Sequence, residues 1–246
     1  MTKKPEVIIA IISLIIAIFA LIFGDNIYQQ ITRRSFFDNE VATPEPTIRI
    51  SPNLSSVVFS DKFDGSNGSY DSNLWDCVQE CNLENLLLRD GVLQLQRDKQ
   101  GHTRLVSRST WTYNELISLT GKFQIVNGAS YIDGWISISN IAGCYIDYIA
   151  DVQSPFIYCN GGGTNEEVEY VTEQFPAQFD KWYQIRIEFN TKDDLIQFYI
   201  DGTLIGEHSV VAHADSGQLD IGIVANWRIA NLGIIYMDDI TVTTNK

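Results

Sequence analysis

From residue 57 onward, hydrophobic and polar positions alternate with period two, and turn residues break the pattern every eight to twelve positions. Leu86-Leu87-Leu88-Arg89, then Asp90-Gly91, then Val92-Leu93-Gln94-Leu95-Gln96 predicts a hairpin with Asp-Gly at its turn. Lys122 to Val126 alternates before Asn127-Gly128, and Trp135-Ile136-Ser137-Ile138-Ser139 alternates again. The clearest stretch runs from Trp182 to Phe189, turns at Lys192-Asp193-Asp194, and returns through Ile196 to Ile200. Asp201-Gly202 then turns the chain into Leu204-Ile205-Gly206. No window here carries the 3.6-residue period of a helix. About a dozen short strands predict an all-β, antiparallel two-sheet sandwich over residues 57–246.

The first 56 residues follow different rules. Val7 to Phe23 is apolar on every side except at Ser13, which predicts a transmembrane anchor helix within residues 1–24. Leu21-Ile22-Phe23 offers no small-residue cleavage site, so the reading is an uncleaved single span. Residues 25–56 carry Thr43-Pro44-Glu45-Pro46-Thr47 and Pro52, the composition of an extended stalk or linker. Lys3 and Lys4 before the span balance Arg33 and Arg34 after it; the free amino terminus tips the expectation toward an extracytoplasmic C-terminal domain.

Charge narrows the partners. The chain has 17 Lys+Arg and 31 Asp+Glu, a net charge of −14. The first 56 residues hold five of each sign, so the excess belongs to the β domain, which phosphate backbones would repel. A nucleic-acid partner is excluded on this ground.

Phe59-Ser60-Asp61-Lys62-Phe63-Asp64-Gly65, followed by Asn73-Leu74-Trp75, resembles the first strand of concanavalin A-like lectin/glucanase jelly rolls. Lys181 to Glu207 looks like their central hairpin, as in laminin G-like domains, and Ile235 to Val242 is similar to their closing strand. The resemblance implies a jelly roll that hosts lectins, carbohydrate-binding modules, adhesion domains and glycosidases.

Glucanases of that fold carry Glu-x-Asp-x-x-Glu on one strand. The nearest match here is Tyr145 to Ala150, where Asp147 remains but Tyr145 and Ala150 replace the two glutamates. On a regular strand Asp147 and Asp151 would lie about 13 Å apart, beyond the span of a catalytic pair, while Glu167 and Glu169 would lie about 6–7 Å apart. No Gly-x-Ser-x-Gly elbow occurs. His102, His208 and His213 fit no nucleophile or zinc motif, and His208 and His213 read as loop residues. Gly161-Gly162-Gly163-Thr164 lacks the lysine of a phosphate loop and reads as a strand connection. These observations weigh against an enzyme.

Sugar binding needs aromatic faces and polar groups for hydroxyls. Alternation puts Trp135 and Ser137 on one face, and Tyr145 and Asp147 on one face. Pairing of those two strands would merge the four into a ligand-binding patch, which Trp227 and Arg228 could extend. Trp75, Trp111 and Trp182 are expected in the core. The resemblance further implies a structural calcium between first and last strands, with Asp64 and Asp239 as its ligands and Asp61 and Asp238 as alternates. Cys77, Cys81, Cys144 and Cys159 all fall in the domain; outside the cytoplasm, Cys77–Cys81 and Cys144–Cys159 are the expected bridges, and inside it all four are small buried side chains. The resulting expectation is a membrane-anchored, non-catalytic carbohydrate-binding or adhesion module with a glycan or cell-surface polysaccharide as partner. The alternatives are a glycoside hydrolase pairing Asp147 with Glu167 or Glu169, and a structural protein-binding domain.

Overall fold

The computed structural model describes residues 56–82, 84–97, 100–126, 132–139, 141–149, 154–162, 168–209, 218–227 and 233–245. In chain order the strands begin with β1 (Ser56–Asp61), β2 (Trp75–Gln79), β3 (Leu86–Arg89), β4 (Val92–Arg97), β5 (Gly101–Ser107) and β6 (Leu116–Ile125). The middle supplies β7 (Ile132–Ile138), β8 (Ala142–Tyr148), β9 (Phe156–Gly162), β10 (Val168–Val171) and β11 (Phe175–Pro176). The last five are β12 (Tyr183–Asn190), β13 (Leu195–Ile200), β14 (Thr203–Ser209), β15 (Ile221–Trp227) and β16 (Gly233–Thr244). Among the described residues the one helical element is a single 3-10 turn, Tyr113–Glu115.

The strands make two eight-stranded antiparallel sheets. The first runs β14-β13-β12-β6-β16-β4-β3, with β1 also paired to β16; the second runs β10-β9-β8-β7-β15-β5-β2, with β11 on β9. This is the all-β two-sheet sandwich that the alternation predicts. Inward residues such as Phe123, Ile185, Phe198, Ile235 and Met237 of the first sheet meet Ile136, Ile146, Ile223 and Trp227 of the second, all fully buried. The Asp90-Gly91 and Asp201-Gly202 turns carry positive φ at both residues, as two-residue hairpins require.

Two features fix the second sheet where β7, β8 and β9 meet. A Cβ on Gly134 of β7 would come within 2.5 Å of Ile235 Cδ1, so only glycine lets the first sheet approach so closely there. Cys144 of β8 and Cys159 of β9 are register partners joined by a disulfide on the core side. Cys77 and Cys81 form the second bridge, and no described cysteine is free. Both expected local pairings are present.

Some expectations need correction. Trp75 and Trp111 are buried, but Trp182 is only half-buried, because it precedes β12 on the outward side and leans toward Tyr236 at 6.4 Å between ring centroids. Gly161 and Gly162 close β9 as paired strand residues rather than belonging to a connection. The expected anchor and stalk, residues 1–55, lie outside the described residues. Among the described residues no helix is long and apolar enough to cross a membrane.

Replacing Cys144 and Cys159 together by Ala should lower the unfolding free energy by about 3 kcal/mol, the chain-entropy value for a loop of roughly 15 residues. Urea denaturation curves of the two proteins measure this difference directly.

Candidate active site

The outward face of the second sheet is organised by register. Asp133 lies opposite Asp147 across β7 and β8, Trp135 opposite Tyr145, and Ser137 opposite Gly143. The pairing of β8 with β9 extends these rows to Phe156, Tyr158 and Asn160. On the other side, β15 adds Asn226, Val224 and Gly222, and β5 adds His102, Arg104 and Val106. The rows therefore cross five strands, with period-two alternation placing every member on one face.

The middle row is an aromatic ladder. Trp135 and Tyr145 stack with centroids 5.3 Å apart and planes 28° apart, and Tyr145 and Tyr158 at 4.9 Å and 5°. These spacings match the distance between neighbouring strands, about 4.8 Å. The rings therefore stand on the sheet like cards in a rack, with their faces turned along the row. Tyr145 has both faces covered, so its hydroxyl and ring edge are what it presents outward. Its hydroxyl is pushed above its usual pKa, first by burial; a hydrogen bond from Asn160 works the other way, and the negative charge of Asp133 adds to the rise. The phenol is thus a neutral hydrogen-bonding group at ordinary pH.

Beside the ladder, Asp133 and Asp147 are 3% and 5% exposed. Directly opposed residues of an antiparallel pair have Cβ atoms about 4.5–5.5 Å apart, so the two acidic side chains start as immediate neighbours. Asn226 Nδ2 donates a long hydrogen bond, 3.4 Å, to Asp133 Oδ2.

The structure thus brings together Trp135, Ser137, Tyr145 and Asp147, as the alternation implies. It does not bring Trp227 with them. Trp227 is fully buried, its indole N–H donating to the Gly233 carbonyl at 3.1 Å, because β15 continues through it in the inward parity. Arg228, His213, Ala150 and Glu167 lie outside the described residues, as does the Glu169 side chain. His208 belongs to β14 rather than a loop and stacks on Tyr170 at 5.1 Å. Asp133 was not foreseen, although it shares parity with Trp135 and Ser137. Spacing along one strand does not reveal it, because its partner Asp147 stands opposite on the neighbouring strand.

The calcium residues serve other bonds. Asp239 is ion-paired with Lys122. Asp61 accepts from the Phe63 N–H at 2.8 Å and from the Trp75 indole at 2.6 Å. Asp64 is exposed, and the carboxyl of Asp238 accepts from the Asp239 N–H at 2.7 Å. Among the described residues, no three His, Cys, Asp or Glu side chains are placed to hold a metal ion. A cation at Asp239 would have to displace a lysine, so these residues as placed do not fit one.

No protein-family model matches the sequence, nor does any curated protein. Solved structures do match. One, from work on endo-acting O-glycanases of human gut microbiota that initiate mucin breakdown, is 14% identical with a TM-score of 0.57, covering 77% of this chain and 99% of that one. LamAcat from Zobellia galactanivorans is 13% identical with a TM-score of 0.58, covering 76% and 97%. A non-specific endo-β-1,3(4)-glucanase of family GH16 is 12% identical with a TM-score of 0.58, covering 78% and 95%. The likeness shows the fold, an antiparallel two-sheet jelly-roll sandwich like that of these proteins. It also overturns the expectation of a non-catalytic binding or adhesion module. The matched proteins are named as glycanases and glucanases, and another, the Crh5 protein, as a transglycosylase. The glycoside hydrolase alternative accords with them better.

Treatment with EDTA followed by gel filtration should leave the melting temperature unchanged, because Lys122 already neutralises Asp239. A fall that calcium reverses would show a cation ligated elsewhere on the chain.

Proposed function

We propose that this chain cleaves or transfers glycans by glycoside hydrolase chemistry, with Asp133 and Asp147 as its carboxyl pair. The observation that carries the reading is their register: two buried carboxyl groups directly opposite each other on the outward side of the second sheet, beside the aromatic ladder. Directly opposed Cβ atoms lie about 4.5–5.5 Å apart, a placement from which the carboxyl groups can reach the roughly 5–5.5 Å separation of retaining glycosidases. The names of the matched structures support a glycan substrate. The two disulfides support an oxidising compartment, in keeping with an extracytoplasmic domain.

The roles follow from the surroundings. Asn226 donates to Asp133, and a hydrogen bond to a carboxylate favours its charged form, which suits a nucleophile. Asp133 attacks the anomeric carbon while the bond to the leaving oxygen breaks and Asp147 gives that oxygen its proton. The resulting glycosyl ester is opened by water, or by a sugar hydroxyl in transfer, and the proton of that attacking group returns to Asp147. Tyr145, neutral and anchored by Asn160, holds a hydroxyl beside the pair.

On a panel of β-glucans and mucin-type O-glycans, Asp133→Asn and Asp147→Asn should each lower kcat/KM by about 10²–10⁴. With a nitrophenyl glycoside, whose leaving group needs no proton, Asp147→Asn should retain the first step and Asp133→Asn should not. Near-UV circular dichroism checks that both variants remain folded. Full activity of either variant on a polymeric glycan would sink this assignment.

A further inference from the structure

The ladder leaves one large aromatic face uncovered by its own members. Trp135 stacks on Tyr145 with one side of the indole, so its other side looks along the row toward β15 and β5. The next residue in that row is Val224 and the one beyond it is Arg104. Two strand spacings, about 10 Å, separate the backbones that carry Trp135 and Arg104. Between them β15 places Val224, 5% exposed, and Gly222 of the neighbouring row adds no side chain. Asn226 and Asp133 stand in the next row. An indole and a guanidinium thus flank Val224 on one outward row, and the slot is the space along that row.

The charge of that guanidinium is unspent. Arg89, Arg108, Lys122, Lys181 and Arg186 each pair with a carboxylate, while exposed Arg104 has no ion-pair partner among the described residues. In a chain with 31 acidic residues and a net charge of −14, an unpaired arginine beside the candidate active site stands out.

We propose that this slot is a subsite for a sugar unit bearing an anionic group, a sulfate ester or a carboxylate, with the ring against Trp135 and the anionic group on Arg104. The guanidinium presents a planar fork of donors that matches two oxygens of such a group. Arg104, which would hold the anionic group, lies two strands from Asp133 and three from Asp147. The charged unit is therefore a neighbour of the one held at the carboxyl pair, whose own negative charge disfavours an anion there. The inference deepens the glycan-active reading and rests on it for the sugar, but it concerns binding and needs no turnover.

The test uses the full chain and three short oligosaccharides of matched length: neutral, sulfated and uronate-containing. Affinities are measured by calorimetry at 0.15 M salt, where repulsion from distant acidic groups is screened beyond roughly 8 Å. At least one anionic ligand should bind more tightly than the neutral one, and Arg104→Gln should abolish that preference by weakening the anionic ligand about tenfold to hundredfold. Arg104→Lys should restore part of it, and Trp135→Ala should weaken all ligands. Whether the sulfated or the uronate ligand shows the preference identifies the group. Equal affinity of Arg104→Gln and wild type for both anionic ligands, or tightest wild-type binding of the neutral one, would overturn the proposal. Arg104-dependent binding without cleavage would uphold the slot and count against the hydrolase reading. Cleavage of glycans by a protein whose affinity for both anionic ligands does not depend on Arg104 would do the reverse.

Discussion

The open face depends on the register between β7 and β8. Because side chains alternate with period two, a one-residue slip of β7 would send Asp133 and Trp135 into the core and bring Ile136 outside, and a slip of β8 would do the same with Tyr145, Asp147 and Ile146. Three local devices hold that register. The connection between the strands is tight, with the Ile141 N–H donating to the Ile138 carbonyl at 3.0 Å. Behind the strands, Cys144 is tied to Cys159, which locks β8 to β9 as well. Under β7, Gly134 admits Ile235 and Met237, and any neighbour shifted into its place would bring a side chain where none fits.

The same constraint explains how the ladder and the carboxyl pair coexist. Stacked aromatic pairs contribute about 0.5–1.5 kcal/mol beyond the area they bury. Here that stacking also steers the rings: each is held upright by the next, so none can fall across the acidic row beside it. Asp133 and Asp147 consequently occupy a recess walled by aromatics on one side and by Asn226 on another. A recess of that kind lowers the local dielectric, which strengthens any interaction between the carboxyl groups and a developing positive charge.

Much of this was legible in the residues. Period-two alternation placed Trp135 with Ser137 and Tyr145 with Asp147, and the Asp-Gly turns announced two hairpins. Parity alone could not say which strands lie side by side, and that is why Asp133 escaped notice. Its partner is 14 positions away in sequence but adjacent in space, a relation set by where the chain turns near Ile138. Trp227 was misplaced for a related reason. Nothing in the local pattern fixes which way it faces, and β15 extends far enough to give it the inward parity of Ile223 and Ala225. The calcium positions show another limit: spacing along the chain does not reveal that Asp239 faces Lys122 and Asp61 the Trp75 indole.

The Cys77–Cys81 bridge has a meaning that differs from that of Cys144–Cys159. It closes a loop of only four positions, and it does so at the end of β2, the border strand of the second sheet. A border strand exposes unpaired backbone groups to which another chain can add, and Val78 on β2 is 56% exposed. The pairing of β2 with β5 is irregular between Cys77 and Gln79, so the strand bends away just as the bridge begins. A clipped, kinked border offers no straight template for a second molecule. The bridge thus bears on solubility, keeping a sheet eight strands wide from growing a ninth.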